Sequence, residues 1–195
     1  MSKQLLLISC ATLLMMSCSK KETPVPQTSV EYLNLNNTVV TANNVLVIDL
    51  DKDGTADFTV TKELREGDTG ENDLLEFRVT SSGQHRILML DNDTPARKEE
   101  GVLIKNEDEL PYRWDPLLAA ALVTRVLTLD IANSYWQGEW MNQYNKYLAV
   151  QLIKDGKAYQ GWIQISFSHI LPTRIIVHDA AYNKIAGQPI KAGQK

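Results

Sequence analysis

The residues with the clearest chemistry are Asp49-Leu50-Asp51-Lys52-Asp53-Gly54-Thr55-Ala56-Asp57, followed by Phe58. Aspartates at positions 1, 3, 5 and 9 of a tight loop can turn their oxygens toward one point. A hard cation such as calcium takes six to eight oxygens at ~2.3–2.6 Å. Gly54 permits a sharp turn at position 6, and the Thr55 carbonyl at position 7 adds an oxygen. The candidate ligands are therefore Asp49, Asp51, Asp53, Thr55 and Asp57, and the expected cofactor is a structural calcium ion. Position 12 is Val60 rather than the bidentate Glu of an EF-hand, and both flanks read as strands rather than helices. The same residues also suit a plain acidic turn, because Asp and Gly are turn formers.

Other chemistry is sparse. Trp136-Gln137-Gly138-Glu139-Trp140 could offer Trp136 and Trp140 as stacking faces for a sugar, or both rings could pack in a core. Trp162 lies in an alternating run and is expected in the core. His85, His169 and His178 lack close ligand spacing. Glu139 with Asp130 is a generic carboxylate pair. Ser166-Phe167-Ser168-His169 reads as strand. No nucleophile elbow, phosphate loop or His-Glu-x-x-His helix occurs. No catalytic residue is assigned, and a hydrolase without a recognised motif is the remaining enzymatic alternative.

The N-terminus bears on compartment. Lys3 precedes an apolar run from Leu5 to Met16, shorter than the roughly 20 residues that span a bilayer. A basic start, a short apolar core and small residues at its end form an export signal. Met15-Met16-Ser17-Cys18 resembles a lipoprotein processing site, so residues 1–17 are expected to be removed and Cys18 to be acylated. Leu7-Ile8-Ser9-Cys10 is the closer literal match. Cleavage there, however, leaves an apolar core below the roughly 7 to 15 residues of an export signal. Cys10 and Cys18 are the only cysteines, so the mature domain has no disulfide to hold it. Palmitate-type chains bury CH₂ groups at ~0.8 kcal/mol each and tether a domain stably when more than one is present.

The chain has 195 residues with formal charge −4, 44% hydrophobic and 23% charged residues. These values suit one globular domain after the signal. No Lys/Arg stripe forms, which excludes nucleic acid as an expected partner. Residues 18–37, polar and containing Pro24 and Pro26, read as a flexible tether, and residues 38–195 as the folded domain.

Alternating or β-branched runs fall at 45–48, 58–61, 75–79, 87–90, 123–131, 147–153, 159–167 and 175–178. Asp155-Gly156 between two of them is a hairpin signal. Short strands punctuated by turns predict an all-β, jelly-roll-like β-sandwich. Asp115-Pro116 followed by Leu117-Leu118-Ala119-Ala120-Ala121-Leu122 predicts one short helix at 116–122.

The acidic loop, with Tyr159-Gln160-Gly161-Trp162-Ile163-Gln164-Ile165, Ile175-Ile176-Val177-His178-Asp179-Ala180-Ala181-Tyr182-Asn183, Pro189-Ile190 and Ala192-Gly193, is similar to uncharacterised exported proteins common in Bacteroidota. The loop itself resembles those of secreted β-domains, including integrin-like repeats. The resemblance covers residues 45–193. It implies a β-sandwich and export, and it implies no reaction. The expected role is a non-catalytic binding or structural accessory, lipid-anchored in the outer membrane on its periplasmic or surface side. The expected partners are the membrane and either a glycan or another envelope protein. A carbohydrate-binding accessory of a glycan-uptake system is the alternative.

Overall fold

The computed structural model describes residues 29–67, 70–90, 94–116, 119–170 and 173–195. The expected signal and the expected acylation site, Cys18, lie outside these residues. The strands in chain order are β1 Val30–Val40, β2 Leu46–Ile48, β3 Phe58–Glu66, β4 Asp73–Ser81, β5 Arg86–Leu90, β6 Arg97–Lys98 and β7 Leu103–Ile104. They continue with β8 Tyr112–Asp115, β9 Ala120–Leu127, β10 Tyr135–Gln137, β11 Lys146–Lys154, β12 Lys157–Ser168, β13 Arg174–Asn183 and β14 Ile190–Lys191.

Two antiparallel sheets face one another as a β-sandwich. The larger has the order β1-β13-β12-β11-β5-β8, with β6 also pairing β11, and the smaller has β10-β9-β4-β3-β2. Strands adjacent in sequence mostly pair within one sheet, as in β2-β3-β4 and β11-β12-β13. Between the sheets lie Phe58, Val60, Phe77, Val79 and Leu122 from one side and Leu148, Val150, Ile163, Ile165, Phe167 and Val177 from the other. All are fully buried, and each such side chain contributes about 1.5–3 kcal/mol by leaving water.

The large sheet is covered on its outer face as well. β7 and β14 pair with each other, and Ile104, Ile190 and Ala192 close over Leu88, Ala149, Trp162 and Ala181. β11 therefore alternates between two cores: Leu148, Val150 and Leu152 point inward, while Tyr147 and Ala149 point outward. Trp162 is fully buried, as its alternating strand predicts, with Tyr147 edge-on at 5.2 Å.

Two expectations are corrected. The tether does not reach residue 37, because β1 starts at Val30 and pairs with β13 from Val30↔Asn183 onward. β1 is an edge strand whose exposed Asn34, Asn36 and Asn37 disguise it, while Leu33 and Leu35 pack on the core. The helix at 116–122 is also overturned. Ala120–Leu127 is strand β9, laddered to β4 and β10. Leu117 and Leu118 lie outside the described residues. The ladder and the burial of Leu122 and Val123 outweigh the intrinsic helix preference of alanine, which is at most ~1 kcal/mol per residue. The one helical turn among the described residues is a 3₁₀ segment, Ile131–Asn133, capped by Asp130.

Candidate cation site

The acidic loop connects β2 to β3, whose register is Leu46↔Val60, Val47↔Thr59 and Ile48↔Phe58. The Asp57 N–H donates to Ile48 O at 2.9 Å and extends the ladder by one rung. Leu50 is fully buried and pins the loop to the core. Lys52 and Gly54 take left-handed φ values of 61° and 91°, which lets the chain reverse.

The carboxylates organise the loop by capturing its amides. Asp49 accepts from Asp53 N at 3.1 Å and from Gly54 N at 2.8 Å. Asp51 accepts from Asp53 N at 3.1 Å, and Asp53 accepts from Thr55 N at 2.8 Å. Asp57 accepts from Leu50 N at 2.7 Å. Asp49, Asp51 and Asp57 each bring one oxygen to within 4.8 Å of the others, and this group could hold a metal ion. At that spacing two like charges repel by roughly 3 kcal/mol at an effective dielectric of 20, so the cluster requires positive charge. Asp51 and Asp57 line an open cleft of about 410 Å³ together with Asp53 and Thr55, but the predicted ligands Asp53 and Thr55 are not part of the converging triad.

Two residues that spacing in the sequence does not reveal complete the site. Lys154 ends β11, where Asp155 and Gly156 turn into β12 with φ values of 50° and 71°, as the Asp-Gly signal predicts. Its ammonium lies 2.7 Å from Asp51 Oδ2, and the Asp51 side chain is 2% exposed. Burial pushes the Asp51 carboxyl up, but Lys154 and the Asp53 amide outweigh it and hold it below the usual carboxylate value. The same contact with Asp51 raises Lys154.

His85 is the second. Its Nε2 lies 2.9 Å from Asp57 Oδ1, and its Nδ1 accepts from Ile153 N at 2.9 Å. A ring nitrogen that accepts an amide proton carries none itself, so the proton sits on Nε2 and is donated to Asp57. His85 thus ties the loop to β11 and packs beside Phe58.

Of the two readings of Trp136 and Trp140, sugar platform or core packing, the structure shows packing for Trp140. Trp140 is fully buried and donates from Nε1 to Pro95 O at 3.0 Å. Trp136 is half-buried, stacked near Phe77 and tilted against Phe167. Position in a polar, glycine-containing segment suggested exposure, but Trp140 turns back into the space between the sheets. Asp130 spends its carboxylate on the 3₁₀ cap and Asn133. The three histidines stay apart: His169 meets Asn142 and His178 meets Ser166 and Asn37. Among the described residues the acidic triad alone forms a metal-capable group.

No protein-family model matches the chain, and neither a curated protein nor a solved structure matches it.

Proposed function

We propose that this chain is an exported, lipid-anchored envelope protein whose β-sandwich is fastened by calcium in the 49–57 loop. It serves there as a binding or structural accessory. The observation that carries the cation reading is the convergence of Asp49, Asp51 and Asp57 within 4.8 Å of one another between two antiparallel strands. The donor set is all oxygen, which suits a hard cation, and the irregular loop with several carboxylates suits the larger, flexibly coordinated calcium better than octahedral magnesium. Asp53 and Thr55, which line the adjoining cleft with Asp51 and Asp57, are the further ligands proposed from the loop spacing. Export supports the reading, since extracellular modules bind calcium at about 10⁻⁴–10⁻³ M. The anchor is the acylated Cys18 of the sequence.

Calcium at about 10 mM exceeds such a Kd by 10- to 100-fold and stabilises by ~1.4–2.7 kcal/mol. The melting temperature then rises by about 3–11 °C, and Asp51→Asn abolishes the rise. A melting temperature indifferent to calcium refutes the cation reading. Mass spectrometry of the native protein tests the anchor separately. An intact Met1 end without acyl chains refutes that part.

The glycan-binding alternative draws no support from a Trp136–Trp140 stacking pair, because Trp140 is fully buried.

A further inference from the structure

A second cluster lies on the outer face of the large sheet, away from the acidic loop. Ser166 on β12, His178 on β13 and Asn37 on β1 come from three neighbouring strands. Ser166 Oγ lies 2.7 Å from His178 Nε2, and His178 Nδ1 lies 2.6 Å from Asn37 Oδ1. The register of β1 on β13 shifts between Asn34 and Thr38. Asn36 and Asn37 in that bulge take left-handed φ values of 55° and 52°. Such backbone conformations cost of order 1 kcal/mol or more and persist where the surroundings fix them.

The hydrogen bonds select one tautomer. The Asn37 carbonyl oxygen can only accept, so Nδ1 carries the proton and Nε2 presents its lone pair to the Ser166 hydroxyl. The Ser166 oxygen accepts from Asn145 N at 2.8 Å, with Asn145 Oδ1 more distant at 3.4 Å. The hydroxyl proton is thereby directed at His178. Burial holds His178 below its ordinary value, against the opposing pull of Asp179, which keeps the ring neutral and able to take a proton. Ser166 also lines a cleft of about 360 Å³ with Tyr144, Asn145, Ser168, Arg174 and Ile176. The cleft offers apolar walls and one guanidinium.

We propose that Ser166 is a nucleophile for acyl transfer from small carboxylic esters, with His178 as its general base and Asn37 as the residue that positions His178. This order of nucleophile, base and orienting group is the one that activates a hydroxyl. Ser166 Oγ bonds to the ester carbonyl carbon as its proton passes to His178 Nε2. The tetrahedral adduct collapses, the bond to the alcohol oxygen breaks, and the alcohol leaves with the His178 proton. A water that gives its proton to the same nitrogen then cleaves the acyl–Ser166 bond. The carboxylic acid departs and the Ser166 hydroxyl is restored. Arg174 supplies positive charge in the cleft for the developing oxyanion.

The test is reaction of the full chain with a fluorophosphonate probe, mapped by peptide mass spectrometry, beside hydrolysis of p-nitrophenyl acetate. The expected result is phosphonylation at Ser166 and ester hydrolysis lost in Ser166→Ala. His178→Gln should slow labelling by about 10²-fold or more. Asn37→Gly suits the left-handed backbone but deletes the acceptor, and should slow labelling; Asn37→Asp keeps an acceptor and should restore it. A merely structural Asn37 would leave the labelling rate unmoved in all variants. Absence of label on Ser166 in the native sequence overturns the proposal. So does a rate unchanged in a folded His178→Gln.

Discussion

The ammonium of Lys154 lies 2.7 Å from Oδ2 of Asp51, so the acidic loop already holds one cation supplied by the far hairpin. That contact joins the small sheet's β2–β3 connection to the end of β11 in the large sheet. An added ion must share or replace it. Lys154→Met is expected to destabilise the calcium-free protein by about 1–2 kcal/mol, between the worth of an exposed pair and a buried one. It should also enlarge the calcium-induced rise in melting temperature. Calcium titrations of the two proteins check this; an identical rise in both would show that Lys154 and the ion do not compete.

Trp140 should behave as a core residue. Trp140→Phe leaves the Pro95 carbonyl without its donor and is expected to cost about 1–3 kcal/mol. Trp140→Ala also leaves a cavity and should cost about 3–5 kcal/mol. Urea unfolding measures both, and losses below about 0.5 kcal/mol, the range of ordinary surface substitutions, would contradict the burial.

Gly161 is required by space rather than by backbone angle. A Cβ there would sit 2.7 Å from Ala181 O, 3.1 Å from Tyr182 Cβ and 3.3 Å from Val150 Cγ2. The backbone oxygen cannot step aside without breaking the β12–β13 ladder. Gly161→Ala should therefore destabilise by about 1–3 kcal/mol, read as a lower denaturant midpoint. An unchanged midpoint would refute the close approach.

The pH dependence near neutrality should trace to His178. Burial lowers its pKa in the folded state from 6.5. As pH falls, the unfolded chain then binds the proton first, so stability is complete above the unfolded value and is lost as pH falls toward the folded one. Asp51 and Glu31 are also lowered, but from 3.8 and 4.5, and act in more acidic solution. Lys154 and Lys195 are raised from 10.5 and act in alkali. Melting temperatures at about pH 7.5 and about pH 5.5 should differ for the native sequence, and His178→Gln should shrink the difference. An equal difference in both proteins would assign the effect elsewhere.

The sequence by itself determined what depends on near neighbours. Strand periodicity located most of the sandwich, because alternation of side chains across a pleat is a local property. The Asp-Gly turn after Lys154 formed as expected, since two successive left-handed residues suit that pair. The Asp49–Asp57 spacing placed three carboxylates together because loop geometry acts within a few bonds. Tertiary structure decided the rest. Pairing with β13 made a strand of the polar segment from Val30, and pairing with β4 made a strand of the alanine-rich Ala120–Leu127. Lys154 and His85 reached the acidic loop, and Ser166, His178 and Asn37 reached one another, only through sheet order and cross-strand register. Most of those contacts join residues far apart in the chain, and Ser166 meets His178 only through the register of two paired strands.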